Sequence, residues 1–333
     1  MRHPLHALLF TATLAAGGLA LSGAGNGAQA QDKPVCSAWL VESSRFMNVP
    51  TGSFMPDRAY VPDSTSPMHN IVTVDLPVNV GVIKCGDELM LFDSGWKQTE
   101  YHKMTGTQHF TPLTEELKVL GFDPADVKKI VVGHAHWDHA GQLLDFPNAT
   151  LYIQREELRG IEWALNYPNP HISAVNNSPG GCFRSPACGY EPLTIEQVYG
   201  KVLHGKAVIV DGEMEIMPGV VIHPAFRAHT AGSQLLEVPT AMGKLVFGSD
   251  AYSSWEGIRD WMPANIQQTD TVQQFLAYEK CYKITGGYQN CVAAHEPLSY
   301  TDKYPLTKNS WVGPNGSRMA EISLAPGEKS RHP

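Results

Sequence analysis

Residues 133–141 read Gly-His-Ala-His-Trp-Asp-His-Ala-Gly, which places four metal-capable side chains, His134, His136, Asp138 and His139, within one short turn. Imidazole nitrogens and carboxylate oxygens are the donors that divalent first-row ions take up near neutral pH. In an extended turn, side chains two residues apart point the same way, so His134 and His136 can share one ion. Asp138 and His139 then project to a neighbouring position. One strand-to-helix turn can therefore hold halves of two metal sites about 3.5–4 Å apart. Three further residues stand where apolar runs end. His229 lies in Ala228-His229-Thr230-Ala231-Gly232-Ser233, Asp250 in Gly248-Ser249-Asp250, and His295 in Ala293-Ala294-His295-Glu296-Pro297. Together they complete three histidines for one ion and an Asp-His-His set for the other, with Asp250 between the two. Five histidines and two carboxylates suit zinc or another divalent first-row ion, with positions left open for water.

The elements that must converge on these side chains are legible as alternating strand and helix signals. Ile71–Val74, Val78–Ile83 and Leu89–Phe92 carry β-branched and apolar runs, the last ending at Asp93-Ser94-Gly95. Thr111–Leu120 has helical spacing, and Lys129–Val132 is a short buried strand that runs straight into the histidine turn. A helix start at Ala140–Leu144, a strand at Ala149–Ile153 and a helix from Arg155 follow. Strands resume at Glu213–Met217, Val220–His223, Leu235–Val238 and Lys244–Phe247; a helix over Thr271–Lys283 precedes a last strand, Gln289–Ala293. This mixture predicts an α/β (α+β) sheet-and-helix sandwich around one core. The predicted organisation is a leader over 1–30, an irregular lead-in over 31–69, a catalytic domain over 70–298 with an insertion or lid at about 155–212, and a mostly irregular tail over 299–333. No Gly-x-Gly-x-x-Gly opens a helix, no P-loop occurs and no 20–50-residue repeat is visible.

Composition narrows the function classes. Of 333 residues, 43% are hydrophobic and 17% charged, which excludes a disordered chain. The net charge of −8 disfavours nucleic acid as a partner. Outside the N-terminus no apolar run is long enough to span a membrane. The first thirty residues read as a secretory signal, with Arg2, an apolar stretch from Ala7 to Leu21, and Ala28-Gln29-Ala30 before a cleavage at Gln31. A periplasmic or secreted location follows. In such a chain the six cysteines predict disulfides. Cys182 and Cys188 bracket a short proline-held loop, and Cys281 and Cys291 flank a Gly286-Gly287 turn. Cys36 with Cys85 remains as the third pair, which would pin the mature N-terminus to the sheet.

The His-x-His-x-Asp-His signature at His134, His136, Asp138 and His139, followed in order by His229, Asp250 and His295, resembles the metallo-β-lactamase superfamily over roughly residues 70–298. The resemblance implies an αββα fold, two mixed β-sheets between helices, with two metal ions at one sheet edge. Phe92-Asp93-Ser94-Gly95 looks like the family's early Asp-Thr-Gly turn, which would make Asp93 a support for the ligands. A bridging Asp250 sets the chain apart from the β-lactamases proper, His136 from the flavin-linked di-iron oxidases, which carry Glu there, and the acidic balance from the nuclease branches. The layout is similar to N-acyl-homoserine lactonases, down to His-Thr-x-Gly-Ser-Gln at His229. Lactonases of that branch carry a tyrosine three residues after the bridging Asp; here that position is Ser253, with Tyr252 one residue earlier.

The resulting expectation is an exported dinuclear hydrolase that opens lactones or cleaves related carboxylic esters by a metal-bridging hydroxide. Metal binding lowers the pKa of water to about 7. Asp138 would steer that nucleophile, and the Tyr252 phenol would be an extra donor to the oxyanion. Alternatives are a phosphotriester or aryl-ester hydrolase, a mononuclear iron persulfide dioxygenase, and a metal-binding protein without turnover. The expected partner is a small lactone or ester; a second copy of the chain, forming a homodimer, is left open. Trp96, Trp137, Trp255 and Trp261 are candidates to line an apolar acyl pocket, with Phe46, Phe54 and Tyr60 closing over it. Glu296 is a candidate support for His295. His69, His102, His109, His171, His204 and His223 fall outside the ligand set.

Overall fold

The computed structural model describes residues 34–50, 73–97, 106–166, 189–252, 254–264 and 270–333. The leader, Phe54, Tyr60, His69, His102, His171, the Cys182 and Cys188 pair, and Ser253 lie outside the described residues. The strands are β1 (Cys36–Pro50), β2 (Thr73–Cys85), β3 (Glu88–Phe92), β4 (Thr107–Gln108), β5 (Val127–Val131), β6 (Thr150–Gln154) and β7 (Ala207–Val210), then β8 (Met214–Met217), β9 (Val220–Pro224), β10 (Gln234–Thr240), β11 (Gly243–Phe247), β12 (Cys291–Val292), β13 (Asn309–Val312) and β14 (Arg318–Ser323). The α-helices are α1 (Leu113–Val119), α2 (Arg155–Leu165), α3 (Pro192–Leu203), α4 (Trp255–Arg259) and α5 (Thr271–Thr285).

The main path of the sheet runs β12-β11-β10-β1-β2-β3-β5-β6-β7. β10 joins β1 only where Cys36 stands opposite Thr240, so the strands divide there into two halves. Successive side chains of a strand point to opposite faces, and that period of two builds the layers. Ala38, Leu40, Met90 and Phe92 from one half pack in a single cluster with Leu236, Val238, Leu245 and Phe247 from the other. The intervening Trp39, Val41, Leu89 and Leu91 face the opposite way, onto Leu117 of α1, Ile161 of α2 and Val198 of α3. On the far side, Leu235 and Val246 meet Ile258 of α4 and Ala277, Tyr278 and Cys281 of α5. Helix, sheet, sheet, helix is the predicted order. Each large apolar side chain so buried contributes about 1.5–3 kcal/mol.

Several boundaries differ from the sequence reading. The lead-in is not irregular where it is described. β1 pairs with β2 along most of its length, starting at Cys36 opposite Cys85, which form a disulfide. Its polar run misled because Glu42 is buried, and receives paired hydrogen bonds from both Arg45 and the distant Arg318. The tail is not mostly irregular either: β14 pairs antiparallel with β1 and with β13, and buries Met319, Ala320 and Ile322. The described parts of the 155–212 insertion belong to the domain proper, since α2 and α3 cover the core and β7 extends the sheet beside β6. Ala140–Leu144 forms turns ahead of a single 3-10 turn, Leu143–Asp145, instead of a helix. The Cys281–Cys291 disulfide ties α5 to β12 as predicted.

Candidate metal centre

The carboxyl ends of four strands converge on the histidine turn. β5 ends at Val131 and delivers His134, His136, Asp138 and His139; β9 leads to the turn holding His229; β11 leads to Asp250; β12 leads to His295. All seven side chains are at least nine-tenths buried. Their ligand atoms fall into three groups, His134–His136–His229, His134–His139–Asp250 and Asp138–His139–His295, with the atoms of each group within 4.8 Å of one another. His229 Nε2 and His136 Nδ1 lie 3.1 Å apart. Asp138 Oδ2 is 3.2 Å from His139 Nε2 and 3.4 Å from His295 Nε2. Asp250 straddles the halves: Oδ2 is 3.4 Å from His229 Nε2 and 4.0 Å from His134 Nε2, while Oδ1 is 3.1 Å from His295 Nε2.

Three of the five imidazoles are held from behind, which fixes which of their nitrogens faces inward. His139 Nδ1 is 2.8 Å from Asp93 Oδ2, His134 Nδ1 is 3.0 Å from Ser249 Oγ, and His295 Nδ1 is 2.7 Å from the Pro77 carbonyl. Asp93 also accepts from the Gly133 backbone N–H at 2.6 Å, tying the start of the turn to the end of β3. Asp93 (φ 64°) and Ser249 (φ 48°) both occupy the left-handed region, where a residue with a Cβ is strained by about 1 kcal/mol or more. That strain is located at the two residues that orient the ligand rings.

A divalent cation fits the residues present. Buried polar atoms are ordinarily paired, yet His134 Nε2 and His139 Nε2 have no hydrogen-bond partner. Burial holds the imidazoles of His134, His136 and His229 below their ordinary value, hence neutral and able to donate a lone pair. Burial acts the same way on His139 and His295, but Asp138 and Asp250 outweigh it, raising His139 well above its ordinary value and His295 to about 10. Five imidazoles and two carboxylates around one cleft form a nitrogen- and oxygen-rich donor set suited to first-row ions.

The family model of the metallo-beta-lactamase superfamily matches residues 73–260, more than half of the chain. The chain belongs to this superfamily. Among curated relatives, an N-acyl homoserine lactonase of Bacillus cereus is 27% identical over 229 residues, which is 65% of this chain and 78% of that protein. The N-acyl homoserine lactonase AttM of Agrobacterium fabrum is 56% identical over 43 residues, 13% of this chain and 16% of its own. Among solved structures, AidC, a dizinc quorum-quenching lactonase in complex with a product, shares the fold at TM-score 0.56 and 18% identity, over 88% of this chain and 96% of that one. The superfamily assignment accounts for the αββα layers and for the turn at the carboxyl end of β5.

Other candidates from the sequence sort differently. Phe46, Trp96 and Trp137 do cluster beside the centre, with Trp96 and Trp137 rings 4.2 Å apart and Phe46 5.2 Å from Trp137 and 5.9 Å from His295. Trp255 instead packs with Tyr288 and Tyr304, and Trp261 with Phe275 and Tyr282. Tyr252 is fully buried and its hydroxyl donates to the Val246 carbonyl at 2.8 Å, so the donor role offered to its phenol is withdrawn. Glu296 accepts from the backbone N–H groups of Trp255 and Leu298, and so shapes the turn after His295 instead of touching its ring. His223 sits between Glu213 and Glu237, and His109 faces the Asn315 carbonyl.

Sequence reasoning passed over Ser249, whose small side chain in a Gly-Ser-Asp run carries no metal signal. It also passed over Glu191 at the head of α3, whose carboxyl is raised to about 7 by burial first and by the charge of Asp138 second. Glu157 was missed as well. It follows Glu156 in what looks like an ordinary acidic first helical turn, yet it is fully buried.

Proposed function

We propose that this protein is an exported dinuclear metal-dependent hydrolase, with zinc as the metal, that opens lactones bearing an apolar acyl group. The observation that carries the reading is the carboxylate of Asp250, reaching the histidines of both ligand groups from its two oxygens. One shared carboxylate between two donor sets is the arrangement for a pair of ions, and it favours hydrolysis over single-iron dioxygenation.

His134, His136 and His229 would hold one ion, and Asp138, His139 and His295 the other, with Asp250 common to both. Such a pair supplies a water whose pKa is lowered to about 7 and Lewis acidity toward a carbonyl. The chain's own residues do the rest. Asp138 orients the attacking water and takes its proton on a carboxylate oxygen, whence it can pass to the alkoxide released when the ring opens. Asp93 and Ser249 keep the imidazoles turned inward. Phe46, Trp96 and Trp137 form an aromatic wall next to His295, the chemistry expected of a surface that takes an acyl chain and excludes water. The kinship with N-acyl homoserine lactonases supports the same substrate class. The two disulfides among the described residues support a location outside the cytoplasm.

The test is a metal analysis of the isolated protein joined to a hydrolysis panel. The panel compares acyl-homoserine lactones, simple γ- and δ-lactones, aryl esters, a paraoxon-like triester and a cephalosporin. Two ions per chain and fastest turnover of the acylated lactones are expected. One iron per chain with oxygen uptake, or triester turnover above all lactones, would overturn the reading.

A further inference from the structure

Glu157 is a buried carboxylate outside the ligand set, and all its acceptor capacity is spent on the loops that carry the ligands. Oε1 accepts from the backbone N–H of Ala135, between His134 and His136, at 2.8 Å, and from the Tyr190 hydroxyl at 3.2 Å. Oε2 accepts from the Thr230 hydroxyl at 2.7 Å and from the backbone N–H of Gly232 at 2.8 Å, both in the turn that carries His229. The Tyr190 ring in turn stands edge-on to His136, with centroids 5.0 Å apart. Four donors on one carboxylate, two of them rigid backbone groups from different loops, define a distance between those loops. The approach is close as well. A Cβ on Gly232 would lie 2.1 Å from the Glu157 backbone nitrogen, so only glycine lets the loop seat against the first turn of α2.

We propose that Glu157 is a positioning residue that clasps the His134–His136 turn to the His229 turn, and so sets the spacing of the three-histidine half of the metal centre. The proposal rests on the dinuclear reading above. A carboxylate is acceptor-only and meets all four donors; a glutamine amide has one acceptor oxygen, and its NH2 would confront the donors on the other side. Removal of a group that orients ligands from behind typically lowers metal affinity about 10–100-fold. In Glu157→Gln that loss should fall on one of the two ions, because neither Asp138 nor His295 is held by this carboxylate.

The experiment titrates metal-free full-length protein with zinc against a competing chelator, for the wild type and for E157Q, with circular dichroism and melting to confirm the fold. The wild type should take up two ions tightly. E157Q should keep one at near wild-type affinity and bind the other about 10–100-fold more weakly. A folded E157Q that binds both ions as the wild type does overturns the clasp. A wild type that binds no pair overturns the dinuclear reading instead, which separates the two failures. Should E157Q not fold, Thr230→Val removes one donor and leaves the carboxylate. A several-fold loss confined to one ion then supports the clasp, and unchanged affinity for both refutes it.

Discussion

Metal uptake at Asp138, His139 and His295 should expel protons, and the geometry gives the number. His139 presents Nδ1 to Asp93 at 2.8 Å and Nε2 to Asp138 at 3.2 Å. His295 presents Nδ1 to the Pro77 carbonyl at 2.7 Å and Nε2 to Asp250 at 3.1 Å. Carboxylate charge this close to each ring favours a second proton on it. Against burial, the carboxylates raise His139 well above its ordinary value and His295 to about 10, which favours the charged form of both in the metal-free protein near neutral pH. A protonated nitrogen cannot ligate, so binding there releases up to two protons. The other half differs, since His134, His136 and His229 are already neutral and release none. Each proton is worth tenfold in affinity per pH unit, or about 1.4 kcal/mol. Raising the pH by two units from about 6.5 should therefore tighten one of the two binding steps by up to about 10⁴-fold and leave the other nearly unchanged. The assay is calorimetric titration of the metal-free protein in buffers of different ionisation enthalpy. Uptake of two ions without net proton release would refute the reasoning. The sign for stability follows from the same shifts. With folded values raised above the unfolded 6.5, the two histidines stabilise the metal-free fold fully below about pH 6.5. They lose that contribution as pH climbs toward about 10, so the chelated protein should melt lower at alkaline pH.

Two further outcomes are expected. In Asp93→Asn a single amide oxygen must serve both the Gly133 N–H and His139 Nδ1, and metal affinity should fall about 10–100-fold by chelator competition; an unchanged affinity would remove Asp93 from the site's support. The disulfides close loops with separations of 49 (Cys36–Cys85) and 10 (Cys281–Cys291), worth about 4 and about 3 kcal/mol by chain entropy. Reducing agent should lower the melting temperature, and a C36S/C85S pair should cost more than C281S/C291S. Equal melting of all forms would show that the cross-links carry no stability.

The ligands were legible because four of them occupy one turn and the others sit at the ends of apolar runs, so local spacing carries the chemistry. The layers were legible for a related reason, the short apolar runs of β3, β10 and β11. β1 was not, because both its faces are buried and its polar residues find partners far along the chain: Glu42 looks like loop chemistry until Arg318 arrives from β14. Tyr252 failed for the opposite reason. Its position one residue from a family tyrosine suggested a function, but its ring enters the core and its hydroxyl is satisfied by Val246. Glu157 and Glu156 are neighbours of one type. Glu156 is half-buried and paired with Arg159 on the same helix, Glu157 is the hub of two loops, and nothing in the local pattern separates them.

The two halves of the centre also differ in what can stand in for a cation. Four carboxylates, Asp93, Asp138, Asp250 and Glu157, are buried on the ligands or on their loops. Replacing one divalent ion at Asp138, His139 and His295 by protons on the two histidines leaves the charge of that half unchanged, so the exchange carries little electrostatic penalty and is governed by pH. No such substitution is open to His134, His136 and His229, where burial and the neighbouring imidazoles disfavour the proton. An ion lost from that half leaves the carboxylates uncompensated in a water-poor interior, which is costly. Acid should therefore strip the Asp138–His139–His295 half first. The three-histidine half, braced by Glu157, retains its ion to lower pH and anchors the pair.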